Sequence, residues 1–169
     1  TNGCRSTDTV VVTQNITPPL ADAGPDITLT CTHPSLAIGT AAISGNTYSW
    51  SNASGLSSGI IAQPTANKAG NYTVTVTNTA NGCTATDLVN ISIDTIRPLA
   101  NAGVNKTLTC ATPTATIGTA AIAGNTYSWL PANGLNNPSI AQPTASSPSN
   151  YTVTVTSLSN GCTSTDQVI

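Results

Sequence analysis

Glutamate, methionine and phenylalanine are absent from this chain, and its 169 residues include only four lysines and arginines, six aspartates and one histidine. Each scarcity excludes something. Without Glu and Met, and with so few Lys and Arg, most residues that enter helices at low entropic cost are gone. Four scattered cations cannot neutralise a run of phosphates, so nucleic acid is not an expected partner. No run of about eighteen apolar residues occurs, so no membrane-spanning helix is expected in this segment. Aromatic residues make up 4% of the chain, so a core has to come from Val, Ile, Leu and Ala around a few Tyr and Trp. What abounds instead is Thr and Val, stiff at the first side-chain torsion and suited to a pleated surface.

The abundant residues are arranged in a repeat. "IGTAAISGNTYSW" at 38–50 returns as "IGTAAIAGNTYSW" at 117–129, a shift of 79 residues, with Ser44 against Ala123 as the one change. Without insertion or deletion, "AGPDITLTC" at 23–31 returns as "AGVNKTLTC" at 102–110, and "NYTVTVT" at 71–77 returns at 150–156. "NGC" begins at Asn2, Asn81 and Asn160. The expected organisation is the last strand of a preceding repeat at 1–17, a full repeat at 18–96, and a second at 97–169 whose closing strand is truncated. The chain reads as a window on a longer array. The linkers "NITPPLADAG" and "DTIRPLANAG" contain Pro, which restricts them.

Within a repeat the pattern is that of strands. In "YTVTVT" strict alternation puts Tyr72, Val74 and Val76 on one face and three Thr on the other, as in a half-buried antiparallel strand. Asn81-Gly82 marks a tight turn, and "TATDLVNISI" returns as its partner. Shorter strands are expected at 27–30, 36–42 and 47–51. The fold class that follows is all-β, an antiparallel sandwich with a 79-residue repeat. Its expected core is Trp50, Tyr72, Val74 and Val76 in one repeat and Trp129, Tyr151, Val153 and Val155 in the next.

The ordered series "AGPDITLTC", "NTYSW", "GL", "AQPTA", "NYTVTVT" and "NGCTATD" resembles the immunoglobulin-like, PKD-like tandem domains of giant cell-surface and secreted proteins of Bacteroidota, gliding-associated adhesins among them. The likeness covers both repeats. It departs at "YSWSN" and "YSWLP", where the family commonly reads "YSWSP". It implies a seven-stranded sandwich strung in many copies and exported to the cell surface, with the type IX system as the implied route.

Five cysteines, Cys4, Cys31, Cys83, Cys110 and Cys162, stand one after "TLT" and one after "NG" in each repeat. No CxxC occurs, and His33 gives way to Thr112 in the next repeat, so zinc is disfavoured and disulfides in an oxidising compartment are expected. Two pairings are open. The self-contained one joins Cys31 to Cys83 and Cys110 to Cys162. The other joins Cys31 to Cys162 between repeats, because in an immunoglobulin-type sandwich the first strand runs away from the end where the last hairpin turns.

The expected catalytic set is empty. His33 has no recurring nucleophile beside it, and Asp8, Asp87 and Asp166 are one repeated position, read as a local turn or strand-start residue. Calcium is the one cofactor worth weighing, at Asp22, Asp26 and Asp94, but Asp22 and Asp26 become Asn101 and Asn105 in the second repeat. The expected role is therefore structural: a repeat in the stiff shaft of a long extracellular fibre or adhesin serving attachment, gliding or capture of other cells. The alternative is a glycan- or protein-binding module. Flat, uncharged Thr faces suggest lateral bundling with other copies of the same chain; a host, prey or surface ligand is not specified by the residues.

Overall fold

The computed structural model describes residues 2–169. Its elements are strands β1 (Ile27–Thr30), β2 (Leu36–Ala37), β3 (Asn46–Trp50), β4 (Thr65–Ala66), β5 (Gly70–Asn78), β6 (Thr84–Asp94), β7 (Ala115–Thr116), β8 (Asn125–Leu130), β9 (Thr144–Ala145), β10 (Tyr151–Ser157) and β11 (Thr163–Val168), with one 3-10 turn at Ala53–Gly55. None is a helix long and apolar enough to cross a membrane among the described residues.

The alternation in "YTVTVT" produces the central strand of each repeat. Along β5 Tyr72, Val74 and Val76 are buried and the Thr between them are half-buried on the opposite face. β10 does the same with Tyr151, Val153 and Val155. β10 is flanked antiparallel by β8, with Trp129 opposite Val153, and by β11, with Val168 opposite Tyr151. A pair of two-residue strands, β7 and β9, supplies the other layer. Between the layers lie Ala102, Ile117, Trp129, Ala145, Tyr151, Val153, Val155 and Val168. In the first repeat β1, β6, β5 and β3 form one sheet in that order, and β2 and β4 the short pair. Each repeat has the immunoglobulin-like sandwich pattern.

Contacts divide the chain into two compact units: unit 1 is Thr1–Pro25, Ala37–Ala66 and Asn71–Asn90; unit 2 is Asp26–Leu36, Asn67–Gly70 and Ile91–Ile169. Unit 2 thus takes in β1 and the last four residues of β6, and these two pair in parallel, Ile27 opposite Ile91 and Thr30 opposite Asp94. This ladder departs from the antiparallel pairing expected throughout.

Two strand expectations are corrected. The strand expected at 36–42 stops after Ala37, because Ile38 donates to the Pro64 carbonyl (3.0 Å) and Gly39 to that of Ala23 (2.8 Å), turning the chain off the sheet. Gly39 sits at φ 76°, and a Cβ there would overlap the Ala62 carbonyl oxygen and stand 2.9 Å from Trp50 Cζ2. Gly118 has the same relation to Ala141 and Trp129, so the glycine of "IGT" is a packing requirement of the tryptophan in both repeats. Beyond these, "KTLT" at 106–109 forms no strand although "ITLT" at 27–30 does. The other correction is that residues 2–17 form no strand, and Val10 and Val12 are 84% and 87% exposed. Thr1 lies outside the described residues.

Candidate functional site

Cys31, Cys162, Asn160 and Asp94 meet at one place, the tip of the β10–β11 hairpin in unit 2. Cys31, just past the end of β1, is joined to Cys162, just before β11, with alpha carbons 5.1 Å apart. The within-repeat pairing is not formed: Cys83 and Cys110 are free, as is Cys4. The physical reason is the register of β6. Cys83 immediately precedes that strand and β1 lies beside its far end, so about ten residues at about 3.3 Å each separate Cys31 from Cys83, far beyond disulfide reach.

The residues of "NGC" divide the work. Ser157 donates to the Cys162 carbonyl (2.9 Å) and Gly161 to that of Ser157 (2.9 Å), closing the tip with Gly161 at φ 68°. A Cβ on Gly161 would overlap Thr32 Cγ2, so glycine also admits the neighbour of Cys31. Asn160, 4% exposed, accepts from the Cys162 amide (3.0 Å) through Oδ1. Its Nδ2 donates to Asp94 Oδ1 (2.8 Å) and to the Ile96 carbonyl (2.9 Å), gripping the linker. Arg97 adds a bond from Nη1 to the Thr163 carbonyl (3.1 Å). No buried side-chain nitrogen or oxygen among the described residues lacks a hydrogen bond.

Unit 1 carries the same tip. Asn81 Nδ2 donates to Asn15 Oδ1 (3.1 Å) and the Thr17 carbonyl (3.0 Å), and Asn81 Oδ1 accepts from the Cys83 amide (2.9 Å). The recurring Asn, read from sequence as a turn former only, is a linker clamp. Its recurrence at 2, 81 and 160 was the available signal.

The repeated aspartate is also more than local. Asp87 Oδ2 accepts from the Ala23 amide (2.8 Å) and Asp166 Oδ2 from the Ala102 amide (2.7 Å), each across 64 residues, whereas Asp8 bonds its neighbour Thr9. The carboxylate holds the buried alanine of "AG" at the sandwich entrance. Asp166→Ala should cost about 1–2 kcal/mol in denaturant unfolding, and Asp166→Asn, which keeps an acceptor oxygen, should recover most of it.

The calcium candidates are engaged otherwise. Asp22 Oδ1 accepts from Gly24 (2.9 Å), and Asp94 Oδ1 accepts from Ile96 (3.2 Å) besides Asn160. Asp26 also has a partner. No three His, Cys, Asp or Glu side chains gather to hold a metal among the described residues. His33 Nδ1 lies 3.1 Å from Thr32 Oγ1. Aromatic rings line the core face: Trp50 and Trp129 donate from Nε1 to the Ile61 and Ile140 carbonyls (2.9 Å each), and the hydroxyls of half-buried Tyr48 and Tyr127 accept from Ile43 and Ile122 (2.8 Å each).

No protein-family model matches the chain, and no curated protein matches its sequence. Among solved structures it is similar to the I-band fragment I67–I69 from titin, at 14% identity and a TM-score of 0.43, covering 91% of this chain and 65% of that one. It is also similar to three N-terminal domains of the bacteriophage RB49 highly immunogenic outer capsid protein, at 16% identity and a TM-score of 0.41, covering 85% of this chain and 55% of that one. A SusE-like surface-located polysaccharide-binding protein from the Bacteroides thetaiotaomicron heparin utilisation locus aligns at 14% identity and a TM-score of 0.37, covering 85% of this chain and 32% of that one. The chain spans less than two thirds of the length of each.

Proposed function

We propose that this chain is a non-enzymatic structural segment of a long secreted fibre or adhesin, in which one immunoglobulin-like repeat follows another and each is fastened to the next. The observation that carries the reading is the Cys31–Cys162 bond, which joins the "TLTC" of one sequence repeat to the "NGC" of the following one. A repeat that only needed its own stability would close on itself. A bond passed from repeat to repeat instead resists separation under tension, which is what a shaft requires. The proposed location is extracellular, where a disulfide persists, and the proposed boundaries are the sequence repeats 18–96 and 97–169, with 1–17 as the end of a preceding one. Export by the type IX route and a source among Bacteroidota belong to the same reading, resting on the resemblance of the ordered motifs. No cofactor is required. Lateral bundling of several copies through the Thr faces is part of the proposal, supported by a charged fraction of 6%.

The binding-module alternative is less well supported, since Tyr72, Tyr151 and both tryptophans are buried and not offered to a sugar face. The reading is tested with antibodies against this segment applied to intact source cells in the electron microscope. Labelling spread along extended surface fibres is expected. Label confined to the cell interior, or to a single point at a fibre's end, would contradict the shaft.

A further inference from the structure

Besides its place in "NGC", the dipeptide Asn-Gly occurs once more, at Asn133-Gly134. Glycine after asparagine carries no Cβ to keep its backbone nitrogen away from the asparagine side chain, and its own torsions are free to adjust. Whether the nitrogen reaches that side chain depends on what holds each of them.

At the hairpin tips both are held. Asn160 engages the Cys162 amide, Asp94 and the Ile96 carbonyl, and the Gly161 N–H donates to the Ser157 carbonyl (2.9 Å). Asn81 engages the Cys83 amide, Asn15 and the Thr17 carbonyl, and the Gly82 N–H donates to the Asn78 carbonyl (2.8 Å). Neither side chain can swing onto the glycine nitrogen without giving up three hydrogen bonds. Neither nitrogen is free to lose its proton.

Asn133-Gly134 is the opposite case. The two residues form the centre of a turn closed by Leu135 donating to the Ala132 carbonyl (3.2 Å). The Asn133 side chain is exposed, and among the described residues neither it nor the Gly134 N–H has a hydrogen-bond partner. The glycine is obligatory here: it sits at φ 87°, and a Cβ on it would meet the Tyr151 hydroxyl and Ser147 Cβ. The asparagine is not, since the first repeat has Ser54 before Gly55.

We propose that Asn133 is a site of spontaneous deamidation and that the linker clamps protect Asn81 and Asn160 from the same reaction. The Gly134 nitrogen gives its proton to solvent and attacks Asn133 Cγ. The new C–N bond closes a succinimide ring, the Cγ–Nδ2 bond breaks, and the departing nitrogen takes up a proton from solvent to leave as ammonia. Water then adds to one ring carbonyl or the other and opens the ring, giving aspartate or isoaspartate. Either product adds one negative charge to a chain whose formal net charge is −2. Isoaspartate also inserts a methylene into the main chain beside Tyr151, whose hydroxyl donates to the Asn133 carbonyl (3.4 Å) and to that of Ser147 (2.9 Å). The site therefore marks the second repeat and not the first. The inference rests on these three neighbourhoods and stands whether or not the segment belongs to a fibre.

The test incubates the full oxidised chain in mildly alkaline buffer, beside a reduced sample in denaturant, and follows both by peptide mapping with mass spectrometry. In the folded chain Asn133 should convert about tenfold or more faster than Asn81 and Asn160, because those two react only when their tips open. In denaturant the three rates should converge. Asn133→Gln keeps the amide but would need a larger ring, so that position should stay unconverted. Equal rates at the three sites in the folded chain, no conversion at Asn133, or the same preference for Asn133 in denaturant would overturn the proposal. So would ammonia loss from the Asn133→Gln chain at the wild-type rate, since direct hydrolysis would then replace attack by Gly134.

Discussion

Replacing Cys31 and Cys162 together by Ser should lower the stability of unit 2 by about 4–5 kcal/mol, because the bond closes a loop of 131 residues and so removes much freedom from the unfolded chain. For a chain of this size that corresponds to a fall in Tm of about 10 °C or more. Changing both cysteines avoids leaving a reactive thiol at the buried Cys162 position. Reduction of the wild-type chain should bring its unfolding midpoint to that of the double variant. Cys83→Ser and Cys110→Ser should each stay within about 0.5 kcal/mol of wild type, since both are free in the single chain. Unfolding in denaturant, followed by circular dichroism with and without reductant, separates these outcomes.

Trp129→Ala should cost unit 2 about 3–5 kcal/mol. The ring is 1% exposed and forms the centre of the cluster with Tyr151, Val153 and Val155. Two further losses add to the cavity. The Ile140 carbonyl loses its indole donor, and the close approach of Gly118 to Cζ2 loses its purpose. Trp129→Phe keeps an aromatic ring but not the N–H, and should cost about 1–2 kcal/mol. The equivalent change at Trp50, 4% exposed and bonded to the Ile61 carbonyl, should affect unit 1 in the same way. The comparison is informative because the two tryptophans sit in nearly identical sequence.

How much of this was legible without coordinates depends on the range of each interaction. The strands built on alternation, Tyr72–Thr77 and Tyr151–Thr156, lie within β5 and β10, because a period of two is a local property. The strand expected over 36–42 ended early because its limit is set by Gly39 meeting the Ala62 carbonyl beneath Trp50, a contact across the sandwich that local propensity does not register. Residues 106–109 share three of the four residues of Ile27–Thr30 yet form no strand, so local composition does not decide the matter. At the junction, the five cysteines left two pairings open, and the register of β1 on β6 distinguishes them. The roles of Asn160 and Asp166 were hidden by distance: each looks like a turn residue in its own neighbourhood, yet each bonds a segment about 64 residues away.

The most direct test of the account is to hold single chains by their two ends and stretch them, oxidised and reduced. The bond between Cys31 and Cys162, 131 positions apart, should lock the chain between them, so an oxidised chain should extend only through residues 1–30 and 163–169. Reduction should then release about 450 Å more, at about 3.5 Å per residue. Equal extensions in the two states would mean that no bond joins one repeat to the next, and the fastened shaft would have to be abandoned.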